Sequence, residues 1–189
     1  MNSVAEHVCP WWVGYFLASP IRRWMQDPDE LIAPYITPGM IVLEPGPGMG
    51  FFTLPLARRV GSGRVVAVDI QPRMLQSLRR RAEKASLEQR IETRLAQAHS
   101  LGIDDLRGTV DFVLAVAVVH EMPSSEIFFN ETAAALRPGG KLLLAEPSGH
   151  VKPAKFAEEL EFARRAGLEE KDRPSFKRFL AASLEKRAV

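Results

Sequence analysis

The sequence of 189 residues lacks the features that would place it in several common protein classes. It contains one cysteine, Cys9, which excludes an internal disulfide and a cysteine-rich metal site. No apolar run approaches the roughly 18 residues that cross a membrane, and the short apolar stretch at 11–18 has no basic lead of the signal-peptide kind. These absences predict a cytoplasmic protein without a membrane span.

The sequence also lacks an excess of charge of either sign. The chain has 25 basic and 23 acidic residues, which gives a formal net charge of +2. The basic cluster at 79–81 is followed by Glu83 and Glu88, as on a solvent-exposed helix face. Nucleic-acid-binding proteins usually carry a basic patch or stripe, so no nucleic-acid partner is expected.

The most informative stretch is 40–53, where an apolar run leads into three glycines at alternate positions. Residues 41–43 predict a buried strand, and the apolar spacing over 52–60 predicts a helix. Glycine is needed in such a turn when φ is positive or when a ligand approaches the backbone closely. A turn of this kind at the carboxyl end of a strand is typical of a nucleotide-type ligand site. The three glycines are Gly46, Gly48 and Gly50.

The spacing of this turn favours a cationic ligand over a dinucleotide. The dinucleotide pattern G-x-G-x-x-G would require glycine where the chain has Phe51, and the pattern here is E-x-G-x-G-x-G from Glu44. A carboxylate at Glu44 would repel a pyrophosphate and would attract an ammonium or sulfonium group. A tight glycine turn in an unrelated α/β protein is the alternative explanation.

Strands and helices are predicted to alternate through the chain, which is typical of an α/β fold with a parallel sheet. A helix that begins at Pro72 has Met74, Leu75, Leu78 and Ala82 on one face, and the helix over 124–136 is expected to turn Ile127, Phe128, Ala134 and Ala135 inward. The further predicted strands are 64–70, 90–95, 111–119 and 141–146, and a further helix covers 153–166.

Two segments resemble the class I S-adenosylmethionine-dependent methyltransferases. Residues 44–50 resemble motif I of these enzymes, and LRPGGKLLLAEP at 136–147 resembles their post-motif III segment. The core is similar to methyltransferase domains of types 11 and 25, including ubiquinone/menaquinone-biosynthesis and arsenite methyltransferases. Because the arsenite enzymes bind arsenic through several thiols, the single cysteine counts against that substrate.

The resemblance implies a Rossmann-like three-layer αβα sandwich with a mostly parallel seven-stranded sheet in the order 3-2-1-4-5-7-6. One domain is expected over 1–189, with a helical cap at 1–36 and a cofactor-binding core at 37–150. The remaining residues, 151–189, would form a helix and an antiparallel hairpin with strands at 168–176 and 179–186. The apolar spacing over 176–184 also fits a helix.

The resemblance also implies S-adenosylmethionine as cofactor and S-adenosylhomocysteine as product. Asp69 would accept hydrogen bonds from both ribose hydroxyls, and Ile70 would stack on adenine. Met74 either touches adenine or packs in the core. At Gln97 relatives commonly have Asp; the Gln97 side chain either accepts a hydrogen bond from the adenine amino group or faces solvent. The implied cofactor set is Glu44, Gly46, Gly48, Gly50, Asp69, Ile70, Met74, Gln97, Ala98, Ala115 and Val116.

The residues after the fourth strand are the candidates for acceptor chemistry. His120 and Glu121 are the predicted general base candidates, although a histidine here could also orient the substrate or cap the next helix. Glu146 follows the fifth strand and is expected on the same sheet edge as the glycine turn. The predicted substrate pocket consists of Trp11, Trp12, Phe16, His120 and Glu146, although the aromatic residues could instead pack on the sheet.

These expectations describe a methyltransferase that acts by in-line displacement on a small-molecule acceptor, as a monomer or homodimer. The small-molecule preference rests on the aromatic cap and on the absence of an added recognition domain. No metal is expected, because His7 and Cys9 have no third candidate ligand nearby. The alternatives are a non-catalytic S-adenosylmethionine-binding module and a protein methyltransferase. A nicotinamide oxidoreductase is disfavoured by Glu44 and Phe51.

Overall fold

The computed structural model of the chain describes residues 28–188. The predicted helical cap at 1–36 therefore lies mostly outside the described residues, which include its residues 28–36 with the helix α1 (Pro28–Ile32). The described residues divide into two compact units, 28–96 and 97–188. Within 28–188, no helix has the length and apolar character needed to cross a bilayer.

The first unit alternates strands and helices as predicted. Its strands pair in parallel, with Ile41 of β1 opposite Arg64 of β2 and Val65 of β2 opposite Ile91 of β3. Helix α3 buries Met74, Leu75, Leu78 and Ala82, which confirms the predicted face. The elements are β1 (Ile41–Pro45), α2 (Thr53–Arg59), β2 (Arg64–Asp69), α3 (Pro72–Lys84) and β3 (Ile91–Leu95).

The second unit contains the remaining strands and ends in the predicted hairpin. Strand β5 pairs in parallel with β4, and β7 runs antiparallel to both β5 and β6. The last two strands confirm a hairpin rather than a helix, although β6 is shorter than predicted. The elements are β4 (Val110–Val116), α4 (Ser125–Ala135), β5 (Leu136–Pro147), α5 (Pro153–Arg165), β6 (Leu168–Asp172) and β7 (Phe179–Lys186).

The seven strands form one sheet in the order β3-β2-β1-β4-β5-β7-β6. This is the predicted order, and the antiparallel terminal strand is present. The carboxyl ends of the parallel strands are the usual position for ligands in open α/β sheets. The fold class predicted from the sequence is confirmed.

Two predicted boundaries in the second unit are wrong. The fourth strand was expected to continue to Val119 but ends at Val116, because Ala117 adopts a left-handed conformation with φ +55° that cannot continue a strand. The fifth strand begins at Leu136 rather than at Lys141, and the residues between them form an irregularity in the pairing with β4. A bulge of this kind leaves residues unpaired without ending the strand.

The predicted inward face of α4 is partly wrong. Phe128 and Ala135 are buried as expected, whereas Ile127 is 40% exposed. Adjacent residues on a helix point about 100° apart, and the buried face is centred on Phe128, Phe129 and Thr132. Ile127 therefore lies outside this face.

Candidate functional site

The glycine turn between β1 and α2 has the conformation that its sequence predicts. Gly46, Gly48 and Gly50 have φ values of +68°, +53° and +87°, a region that disfavours residues with a Cβ. A Cβ on Gly50 would lie 2.5 Å from Cδ1 of Leu78, whereas a Cβ on Gly48 would meet nothing within 4 Å among the described residues. Gly50 thus permits packing against α3, and Gly48 borders open space.

Asp69, the last residue of β2, is held against this turn by the backbone. Its Oδ1 accepts a hydrogen bond from the Gln71 N–H at 2.8 Å, and its Oδ2 accepts one from the Gly48 N–H at 3.3 Å. Each carboxylate oxygen has further lone-pair capacity. The next residue, Ile70, is 36% exposed. The tip of β2 therefore presents a fixed carboxylate beside an exposed apolar side chain.

Glu44 lies in β1 and is buried. Burial raises the pKa of this carboxyl to about 8; the Thr53 hydroxyl has an opposing effect, and the negative charge of Asp69 adds to the increase. Neither Glu44 Oε2 nor Thr53 Oγ1 has a hydrogen-bond partner within the described part of the chain. A cation or a hydrogen-bond donor beside Oε2 would satisfy it and would favour the ionised form.

The other residues predicted to bind the cofactor have varied environments. Met74 is buried on the packed face of α3. Gln97 and Ala98 are exposed in a turn where the Gln97 N–H donates to the Ser100 carbonyl at 2.9 Å. Near the end of β4, Ala115 is buried and Val116 is half-buried. Their cofactor contacts remain predictions.

The second unit brings together two of its predicted residues, His120 and Glu146. His120 lies in a short 3₁₀ helix, Val119–Glu121, and its Nδ1 is hydrogen-bonded to the Glu146 carboxylate. Glu146 is fully buried in β5 and accepts hydrogen bonds from the N–H groups of Val118 at 3.3 Å and Val119 at 2.8 Å. Three donors around one carboxylate stabilise its ionised form.

His120 is surrounded by acidic groups. The hydrogen bond to Glu146 raises the pKa of the imidazole; burial opposes the increase, and the charges of Glu146, Glu121 and Glu159 reinforce it. Glu121 Oε1 lies 3.9 Å from His120 Nε2. The His150 ring is 6.1 Å away, measured between ring centroids. With Nδ1 bonded to Glu146, Nε2 is the nitrogen that can accept a proton.

The sequence prediction missed Glu159, which lies on α5 and is fully buried. Neither of its carboxyl oxygens has a hydrogen-bond partner in the region from 28 to 188. Burial raises the pKa of Glu159 to about 7, and the charge of Glu146 contributes to the increase. Helical spacing could have identified Glu159. The other buried residues of α5 are Phe156, three residues before Glu159, and Ala163, four residues after it.

The predicted pocket residues Trp11, Trp12 and Phe16 lie outside the described residues. Among residues 28–188, no group of three or more His, Cys, Asp or Glu side chains could hold a metal ion. Of the residues predicted for acceptor chemistry, the structure describes His120, Glu121 and Glu146, and their roles remain predictions.

Comparison with known proteins identifies relatives of the chain. A family model described as "Methyltransferase domain" matches residues 43–144, more than half of the chain. Arsenite methyltransferase of Halobacterium salinarum is 33% identical over 112 residues, covering 59% of this chain and 28% of that protein. Ubiquinone biosynthesis O-methyltransferase of Methylocella silvestris is 33% identical over 130 residues, covering 69% and 48%. The chain spans less than half the length of these two relatives.

A crystal structure of a SAM dependent methyltransferase from Aquifex aeolicus shares the fold. It superposes with a TM-score of 0.81 at 21% identity and covers 94% of this chain and 98% of that chain. At this level of identity the likeness concerns the fold alone. The sheet order, the glycine turn and the extent of the family match lead to one assignment. The chain belongs to the class I S-adenosylmethionine-dependent methyltransferase family.

Proposed function

We propose that the chain transfers a methyl group from S-adenosylmethionine to a small-molecule acceptor, with His120 as general base. The observation that carries the proposal is the glycine turn, where the Gly48 N–H holds the Asp69 carboxylate, in a chain of this family. When bound, S-adenosylmethionine supplies an activated methyl group on a sulfonium, and S-adenosylhomocysteine is the product. The protein must then position the acceptor and remove its proton.

The first unit supplies groups that suit the cofactor. The Asp69 carboxylate is oriented by two backbone donors and can accept further hydrogen bonds from a pair of ribose hydroxyls. Exposed Ile70 offers an apolar surface to adenine. Glu44 Oε2, which has no hydrogen-bond partner among residues 28–188, suits the ammonium group of the methionine part. These roles are proposals for individual residues.

The second unit supplies a carboxylate–imidazole pair that suits general base catalysis. The Glu146 carboxylate holds Nδ1 of His120, so an incoming proton would be taken up at Nε2, and the negative charge would stabilise the imidazolium that forms. The side chain of His120 is only 19% exposed. Because a recessed base is more accessible to a slender acceptor than to a folded protein surface, this position supports a small-molecule substrate.

Calorimetry tests the cofactor part of the proposal. S-adenosylmethionine and S-adenosylhomocysteine should bind to the folded chain, whereas a nicotinamide dinucleotide at the same concentration should not. If neither S-adenosylmethionine nor S-adenosylhomocysteine binds, the proposal is refuted.

An acceptor screen that detects S-adenosylhomocysteine release tests the acceptor part. The screen should include small hydroxyl, amine and thiol compounds, with bacterial protein extracts as a separate arm. Turnover of a small compound is the expected result. Turnover only with protein would contradict the substrate class, and cofactor binding without any turnover would favour the non-catalytic module.

A further inference from the structure

Glu159 is a buried carboxyl group to which the proposed mechanism gives no role. It is fully buried on α5, and neither oxygen has a hydrogen-bond partner among the described residues. An ionised carboxylate in such an environment would lose its hydration without compensation, which costs several kcal/mol. A neutral carboxylic acid avoids most of this cost, so the environment of Glu159 favours the protonated form.

Glu146, the second buried carboxyl group of this unit, has the opposite environment. Two backbone N–H groups and the His120 ring are hydrogen-bonded to it. The charges of Glu146 and His120 both act on Glu159, and the charge of Glu159 acts on His120. Two neighbouring carboxyl groups in a buried site do not readily ionise together. The donors around Glu146 suit a carboxylate, whereas Glu159 has no hydrogen-bond partner among residues 28–188, so the environment favours the proton on Glu159.

We propose that Glu159 is a positioning residue for His120: a buried carboxyl group that stays uncharged up to neutral pH and ionises above it, so that below this point a single negative charge, that of Glu146, lies beside the imidazole. This inference rests on the proposed role of His120 as base. A single charge stabilises the imidazolium, whereas a second charge would hold the proton on the ring after transfer. Glu159 acts through Glu146 and His120 and is not assigned a contact with substrate.

Several charged groups surround this cluster and determine the sign of the expected effect. Ionisation of Glu159 would raise the pKa of His120, because a nearby negative charge favours the imidazolium. Lys155 lowers the pKa of Glu159, and Glu158 raises it. The groups to be considered are Glu121 and His150 beside the imidazole, Glu146 on β5, and Lys155 and Glu158 on α5.

The test is the titration of His120 by nuclear magnetic resonance in Glu159→Gln. The His120 signal is identified among the four histidines by its absence in His120→Gln. Wild type should show a second inflection near pH 7, where Glu159 ionises, and the midpoint of His120 should be higher than in the variant. In Glu159→Gln the inflection should be lost and the midpoint should move to lower pH.

Glu161→Gln is the matched control, because Glu161 lies on the same helix but is exposed and paired with Arg164 and Arg165. This variant makes the same Glu-to-Gln substitution two residues away and should leave the His120 titration unchanged. If the titration of His120 is the same in Glu159→Gln as in wild type, or if Glu161→Gln shifts it equally, the inference is wrong. This readout requires no acceptor, so it is independent of the outcome of the acceptor screen.

Glu159→Met provides a second test that does not depend on the histidine signal. If Glu159 is uncharged, both Gln and Met at this position should give folded protein, with unfolding temperatures at pH 6 close to that of wild type. Loss of folding in both variants would show that the fold needs the ionised carboxylate and would overturn the inference.

Loss of methyl transfer in His120→Gln tests the base itself. If His120→Gln retains full activity, the base assignment fails, whatever the titration shows.

Discussion

Each of the two units buries a pair of carboxyl groups, and in each pair the backbone holds only one. Asp69 in the first unit and Glu146 in the second accept backbone N–H groups. Glu44 and Glu159 have oxygens without partners among residues 28–188. Burial raises the pKa of these two to about 8 and about 7. The same arrangement occurs in both units: one carboxylate is held by backbone N–H groups, and the other carboxyl group has an oxygen without a partner among the described residues.

The pairs differ in the presence of an imidazole. His120 is hydrogen-bonded to Glu146, whereas residues 28–96, the described part of the first unit, contain no histidine. Carboxyl groups alone can accept hydrogen bonds and attract a positive charge, but a histidine can exchange a proton near neutral pH. For this reason we propose cofactor binding for the first unit and proton transfer for the second. The experiments below test this division, starting with the largest expected effect.

Replacing His120 by Gln should reduce the rate of methyl transfer about 10²- to 10⁴-fold, because the acceptor loses its base. Cofactor affinity should be unchanged, since the proposal assigns cofactor binding to other residues. Single-turnover kinetics and calorimetry measure the two quantities. His99→Gln, at an exposed position, is the control and should retain both. A large loss of cofactor affinity in His120→Gln would break the division between the units.

Replacing Asp69 by Asn should raise the dissociation constant for S-adenosylmethionine about 10- to 100-fold, as expected for hydrogen bonds to a charged acceptor. The variant keeps the size of the side chain but places an amide N–H₂ where Gly48 and Gln71 now donate. Asp104→Asn, at an exposed position, should bind normally. Equal affinity in wild type and Asp69→Asn would remove Asp69 from the cofactor site.

The pH dependence of stability should depend on Glu44. Its pKa rises from 4.5 in the unfolded chain to about 8 in the fold, so the folded state binds more protons between these values. Stability from this group is therefore fully present below pH 4.5 and is lost as the pH rises through 8. Between pH 5 and 8 wild type should lose about 3 kcal/mol relative to Glu44→Gln.

Chemical denaturation across this pH range measures the difference. Glu30→Gln, at an exposed position of α1, is the control and should follow wild type. A wild-type stability that rises with pH relative to Glu44→Gln would show that the Glu44 carboxyl is ionised in the fold.

Gly50→Ala in the first unit and Gly102→Ala in the second should both lower the free energy of unfolding. The loss should be about 1 to 2 kcal/mol larger for Gly50→Ala. Both glycines have positive φ, but only the new Cβ at Gly50 would approach a buried side chain, that of Leu78. The backbone cost is therefore common to both, and the difference isolates the clash. Equal unfolding free energies for the two variants would contradict the packing role of Gly50.

Apolar periodicity predicted much of the fold because burial selects one face of each element. Helix α3 is an example, with Met74, Leu75, Leu78 and Ala82 all buried. At α5 the spacing of Phe156 and Ala163 includes the position of Glu159 in the core, but its residue type conceals it. Charged residues on a helix normally face solvent, so a buried acid has no apolar signature.

The candidate site was predictable only as far as local sequence determines it. Glycine spacing predicted the turn around Gly48, and strand ends predicted Asp69 and Glu146. The hydrogen bonds that hold Glu146 depend instead on where β4 ends. That end depends on the backbone conformation of Ala117, which no pattern of apolar residues indicates.

Ala117 has a consequence beyond the length of its strand. A non-glycine residue with φ +55° costs about 1 to 2 kcal/mol, and such strain persists only where the surroundings maintain it. Here the Ala117 N–H donates to the Ala145 carbonyl at 2.8 Å, and the next two amides bind Glu146. The position of the His120 imidazole therefore depends on the main-chain geometry at Ala117. Side chains around this bend other than that of Glu146 can be exchanged in engineering without displacing the histidine, provided that the hydrogen bonds of these three amides are kept.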